Sequence, residues 1–81
     1  MRSVPDLSDS LAKILKKHRL AKNMSIYRLA ALSGLDKSAI GKLEAGTRAP
    51  SVDTAFKIAT ALRLPLWKLI KEAEQLYNKS I

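Results

Sequence analysis

The chain has no cysteine among its 81 residues, so neither a disulfide nor a zinc site is available to staple the fold. That absence agrees with a reducing, cytoplasmic setting. Aromatic residues are few (one Trp, two Tyr and one Phe), although 47% of the residues are hydrophobic. The core is therefore expected to consist of Leu, Ile and Ala, a mixture that suits helices better than sheets. The longest stretch without a charged residue is seven, Leu29 to Leu35, far short of the ~18 needed to cross a bilayer. Positions 1–10 contain Pro5, Asp6 and Asp9 and no apolar centre, so they do not read as a signal peptide, and a soluble protein with no membrane role is expected. With one histidine, no recognisable pair of catalytic carboxylates and no glycine-rich phosphate loop, the chain does not read as an enzyme, and nothing calls for a cofactor, a metal or a small-molecule ligand.

Acidic residues are also scarce. Seven Asp and Glu stand against fifteen Lys and Arg, a formal net charge of +8. The surplus is uneven: positions 1–50 hold ten basic and four acidic residues, positions 51–81 five and three. Such a balance speaks of partners and not of fold, and the partner it suits is a polyanion, most commonly nucleic acid. The basic residues are spread around several predicted helices, which disfavours a membrane-surface role. The length suffices for one small domain, and no internal repeat or low-complexity linker interrupts it.

The rest of the chain is organised around positions 26–45, IYRLAALSGLDKSAIGKLEA. A short helix runs into a turn at Ser33-Gly34-Leu35, and a second helix follows from Asp36. At about 100° per residue, Ala39, Ile40 and Leu43 share one arc of that second helix with Glu44 at its edge, while Lys37, Ser38, Gly41, Lys42 and Ala45 share the other. One arc is fit to bury and the other is small, polar and basic. Ala30 lets the two helices cross closely, Gly34 reaches φ > 0 without a Cβ clash, and Asp36 is placed to offer its carboxylate to the free N–H groups of the helix it opens.

This pattern resembles the helix-turn-helix of the Cro/CI-like (lambda-repressor-like, XRE-type) family of bacterial and phage regulators, over roughly residues 9–70. The resemblance implies an all-α, compact five-helix DNA-binding domain, with helices 2 and 3 forming the helix-turn-helix and an extended C-terminal helix. The expected organisation is an N-terminal arm at 1–8, the DNA-binding domain at 9–70 and a C-terminal helical extension at 71–81. Arg2 in the arm is able to touch an anionic partner. In this family an arginine near the end of the first helix commonly pairs with a glutamate at the end of the recognition helix, and the matching residues are Arg19 and Glu44.

Taken in order, Ser8 or Asp9 is expected to cap a first helix reaching about Lys22, with Leu11, Ile14, Leu15 and His18 on one face. His18 stands where the family has an apolar residue and reads as a partly buried structural histidine. Ser25 sits at the next N-cap, but the chain departs from the family beyond it: Ile26 replaces a phosphate-reaching glutamine, and Arg28 replaces the glutamate of a capping box. Phosphate contact is assigned to Ser25, Tyr27 and Arg28 there, and to Thr47 and Arg48 in the loop that follows Gly46. Ser51 caps a fourth helix at 52–62, whose buried stripe is read as Ala55, Phe56, Ala59 and Leu62. Arg63 stands where the family tends to have glycine or asparagine, which suggests a differently shaped helix end. Pro65 then opens a last helix.

By resemblance, Lys37, Ser38, Gly41 and Lys42 are the base-contacting candidates. Lysine donates to guanine O6 and N7, and serine donates or accepts with several bases. Gly41 costs the helix about 1 kcal/mol against alanine; either a bare backbone permits closer docking or the position is a tolerated weak spot. The apolar stripe of the last helix runs on through Leu66, Leu69, Ile70, Ala73, Leu76 and Tyr77, with Trp67 near its start. Either it folds back on the chain's own core or it forms a homodimer contact through Leu66, Trp67, Ile70, Ala73, Leu76 and Tyr77, the reading preferred because so small a domain has little core left to cover. The expected function is sequence-specific recognition of a double-stranded, inverted-repeat operator by a transcriptional regulator, most simply a repressor. The alternatives are a restriction–modification controller protein of the same family, or an antitoxin acting mainly through protein–protein binding.

Overall fold

The computed structural model describes residues 6–80. These form five helices: α1 (Leu7–Ala21), α2 (Ile26–Ser33), α3 (Lys37–Glu44), α4 (Val52–Ala61) and α5 (Leu66–Ser80). Residues 1–5 of the expected arm, which include Arg2, and the final Ile81 lie outside the described residues.

Three of the helices start on a short polar side chain that satisfies an otherwise unpaired backbone N–H. Ser25 Oγ accepts from the N–H of Arg28 and Ser51 Oγ from that of Thr54, each at 3.0 Å. For α1 the cap is Asp6, which accepts from the N–H of Asp9 at 3.0 Å, and not Ser8 or Asp9 as expected. The helix therefore begins two residues inside the expected arm. Asp6 has the extended backbone of an N-cap (φ −129°, ψ 170°), and once it caps, Leu7 and Ser8 are drawn into the first turn. Asp36 also departs from expectation. It occupies the N-cap position of α3 but makes no side-chain cap bond; its carboxylate instead accepts from the Ser38 hydroxyl at 2.6 Å.

The helices close around Leu11, Ile14 and Leu15 of α1, Leu29 of α2, Ile40 and Leu43 of α3, Ala55, Ile58 and Ala59 of α4, Leu62 at the end of α4, and Leu69 and Ala73 of α5. The buried stripe of α4 is thus Ala55, Ile58, Ala59 and Leu62, which is the i, i+3, i+4, i+7 pattern of one helix face. Phe56 falls one residue out of that phase and is 56% exposed. The expectation that it was buried gave its hydrophobicity more weight than its angular position.

Among the described residues Asn23, Gly34, Gly46 and Arg63 take left-handed backbone, and Gly34 and Arg63 shape the ends of α2 and α4. Gly34 ends α2 at φ 74°, its N–H bonded to Ala30 O at 3.0 Å. A Cβ there would meet nothing within 4 Å, so the demand for glycine is conformational, not spatial. Arg63 follows α4 at φ 59°, with its N–H on Thr60 O (3.0 Å) and the N–H of Leu64 on Ala59 O (2.9 Å). The helix end therefore keeps the left-handed shape that glycine or asparagine would give, and is not differently formed as expected.

Helix α5 runs without a break through Ile70 and packs chiefly along α1. His18 Nε2 lies 3.0 Å from Glu72 Oε1 and is half-buried against α5, as a structural histidine would be. Ala73, expected at a dimer contact, is fully enclosed by the chain's own core: it faces α1 in the same phase as Leu69, so no partner can reach it. Leu66, Ile70 and Leu76 are partly covered by the same core, while Trp67 remains 68% exposed. No described helix is long and apolar enough to cross a membrane. Leu69→Ala should cost about 2–5 kcal/mol by urea denaturation, because its cavity opens between α1 and α5; a loss below ~0.5 kcal/mol would mean that α5 is not part of the core.

Candidate nucleic-acid interface

Helix α3 has only eight residues and a glycine at its middle, and a helix that short does not hold in water by itself. Two attachments position it. Ile40 and Leu43 insert into the core at 1% and 3% exposure. At its C-terminal end the Arg19 guanidinium makes a two-pronged bond to Glu44, Nε to Oε2 at 2.7 Å and Nη2 to Oε1 at 2.8 Å. The third arm of the fork, Nη1, donates to Met24 O in the α1–α2 turn at 2.6 Å. One cation from α1 thereby holds the turn and the end of α3 together.

Both side chains of this pair are nearly buried, at 9% and 7% exposure. The hydrogen bonds that Arg19 donates to Glu44 raise its pKa above the usual guanidinium value, against the opposing effect of burial, with the nearby negative charge adding to the rise. A raised folded-state value means that the stabilisation is complete below the unfolded pKa and is lost only as pH rises through the folded one, far into alkali. No buried side-chain nitrogen or oxygen among the described residues lacks a hydrogen-bond partner.

With its inner side fixed, α3 turns the other side outward. Lys37, Ser38 and Lys42 are exposed and Gly41 between them is half-buried. A Cβ on Gly41 would meet nothing within 4 Å, so packing inside the domain does not require glycine at this position. The Ser38 hydroxyl is held by Asp36, as above. Lys37 is held too: its Nζ donates to the Tyr27 hydroxyl at 3.4 Å and stands 4.4 Å from the centre of the Tyr27 ring, within reach of the ring's negative face. Tyr27, the second residue of α2, therefore meets α3 across the turn. Nothing in the spacing of residues 27 and 37 announces that contact.

The remaining phosphate candidates are distributed on several sides. Ser25 Oγ is occupied in capping α2. Thr47 folds back so that both its N–H (3.0 Å) and its hydroxyl (3.1 Å) bond Lys42 O, closing the end of α3. Arg48 is exposed and borders a groove with Leu35, Ala39 and Thr54. Arg28 borders a different groove, with Lys22 and Arg63; neither of those two residues was singled out as a site residue from the sequence.

A helix-turn-helix family model matches residues 15–66, the span from the middle of α1 to the start of α5. The chain belongs to the Cro/CI-like helix-turn-helix family. Its members are DNA-binding regulators and not enzymes. The chain is 37% identical over 60 residues to the HTH-type transcriptional regulator SutR of Escherichia coli (strain K12), covering 74% of this chain and 34% of SutR. It is 33% identical over 70 residues to the HTH-type transcriptional regulator SlrR of Bacillus subtilis (strain 168), covering 85% and 46%. It thus spans less than half of each of these two relatives. The restriction–modification controller protein C.AhdI from Aeromonas hydrophila shares its fold at a TM-score of 0.71 and 41% identity, covering 79% of this chain and 96% of C.AhdI.

Breaking the Arg19–Glu44 pair tests what positions the reading helix. Arg19→Ala should lose about 3–5 kcal/mol by denaturant titration because Glu44 is left buried and unpaired, whereas replacing both with apolar residues of similar volume should recover most of that loss. An Arg19→Ala protein as stable as the parent would remove this pair from its structural role.

Proposed function

We propose that the protein is a sequence-specific regulator of transcription that binds double-stranded DNA through α3, most simply as a repressor that occludes a promoter. The observation that carries this reading is the two-sidedness of α3. Ile40, Leu43 and Glu44 are held inside while Lys37, Ser38 and Lys42 face out beside a bare Gly41. A helix anchored in this way fits the major groove and can present its first turn to base edges. Lys37 would donate to guanine O6 and N7, with Ser38 and Lys42 contacting neighbouring bases or phosphates. Tyr27, Arg28, Thr47 and Arg48 would supply phosphate contacts, together with the backbone N–H groups at the start of α2. SutR and SlrR, both called transcriptional regulators, support the assignment.

The active form would be a homodimer on an inverted-repeat operator, placing two copies of α3 in successive major grooves about 34 Å apart. Its contact would involve Leu66, Trp67, Ile70, Leu76 and Tyr77, without the enclosed Ala73. Val52 and Phe56, four residues apart on one face of α4 and 78% and 56% exposed, extend the apolar surface available to it. The match to C.AhdI over nearly the whole of that protein favours a restriction–modification controller as a second reading. An antitoxin is the third reading; residues 71–80 form the second half of α5.

Selection of bound duplexes from a random pool should return a palindromic site. Lys37→Ala should cost about 1–3 kcal/mol of base discrimination at one position of each half-site. Arg48→Ala should weaken all sequences alike and lower the salt slope of binding by about one. If both variants bind every duplex as the parent does, the reading surface lies elsewhere. Sedimentation at micromolar concentration should show a dimer that Trp67→Glu converts to monomer; a monomeric parent would contradict the proposed assembly.

A further inference from the structure

The groove between the α1–α2 turn and the end of α4 gathers three cations from three parts of the chain. Lys22 follows α1, Arg28 lies in the first turn of α2 and Arg63 follows α4; Met24, Leu32 and Thr60 complete the walls. All three cations are exposed, and none has an ion-pair or side-chain hydrogen-bond partner among the described residues. Like charges converging on one groove repel each other unless an anion joins them.

Arg63 adds a separate observation. Its φ of 59° is the left-handed conformation that an L side chain rarely adopts, and the hydrogen bonds closing α4 would be made equally well by glycine. The position keeps a long cation at the expense of backbone strain, and strain of this kind collects at functional sites. Attraction between a cation and the C-terminal end of α4 would account for Arg63 alone. It does not explain why Lys22 and Arg28 line the same groove.

The location of the groove identifies the anion. Arg28 is the residue after Tyr27, and Tyr27 touches Lys37 on α3, so the groove begins in the same turn of α2 that adjoins the outward face of α3. We propose that Lys22, Arg28 and Arg63 grip the sugar–phosphate backbone of DNA flanking the half-site read by α3, adding affinity that is independent of flanking sequence. This rests on the DNA-binding reading given above.

The test compares two duplexes carrying the same selected site, one ending at its boundary and one extended on each side by about half a helical turn. The parent should bind the longer duplex about tenfold more tightly. Arg63→Gly should lose most of that gain and lower the salt slope on the longer duplex by about one, yet bind the trimmed duplex as the parent does. The same variant should melt at a higher temperature than the parent, since the left-handed strain is relieved, so its weaker binding cannot be ascribed to unfolding. Lys22→Ala should show the same loss without the gain in stability. If both variants keep the parent's length dependence and salt slope, the groove serves another anion, such as an acidic protein, and the proposal is overturned while the role of α3 stands. A parent that binds neither duplex overturns both readings.

Discussion

The buried pair of Arg19 and Glu44 is the contact on which the position of α3 depends. Helix α3 is short, carries a glycine and receives no side-chain cap from Asp36, so little within its own sequence keeps it helical or in place. Its position comes from elsewhere: apolar insertion by Ile40 and Leu43, and a charged clamp at its far end. The guanidinium is suited to the clamp because its planar fork serves Glu44 with two bonds and the Met24 carbonyl with a third. A lysine in the same place would be a point charge and could not span both partners.

That arrangement also sorts the protein's charges. Some basic side chains are committed to the fold: Arg19 to Glu44, and the partly buried His18 to Glu72, which Lys17 also approaches. Lys57 makes an exposed pair with Asp53 within α4, which is worth little. The others, including Lys37, Lys42, Arg28 and Arg48, are turned to solvent. With only seven carboxylates in the chain, the surplus has few internal partners and is left on the surface, where a polyanion can meet it. Lys37 is an intermediate case, since the exposed Tyr27 ring restrains its ammonium without neutralising it.

Helix α5 is enclosed along one side and open along the other. Leu69 and Ala73 close the core, so α5 contributes to it on both sides of Ile70. Its flank still displays Trp67, which is 68% exposed. Burial of part of the stripe and exposure of the remainder are compatible because successive positions on a helix point about 100° apart.

Local features were legible in the chain before folding. The helix-turn-helix at 26–45, the caps at Ser25 and Ser51, the turn at Gly34 and the division of α3 into a buried and an outward arc all follow from side-chain chemistry acting within a few residues. The Arg19–Glu44 pair could be anticipated from the family resemblance. The misreadings have local causes as well: Phe56 was judged by its hydrophobicity instead of its phase, and Asp36 by its place instead of the competing hydroxyl of Ser38 two residues away. What only the tertiary structure decided joins residues distant in the chain: Tyr27 under Lys37 at a separation of 10, His18 beside Glu72 at 54, Ala73 against α1, and the meeting of Lys22, Arg28 and Arg63. Periodicity says which way a side chain points from its own helix, but which element it meets is set by how helices pack, and that depends on the whole core at once.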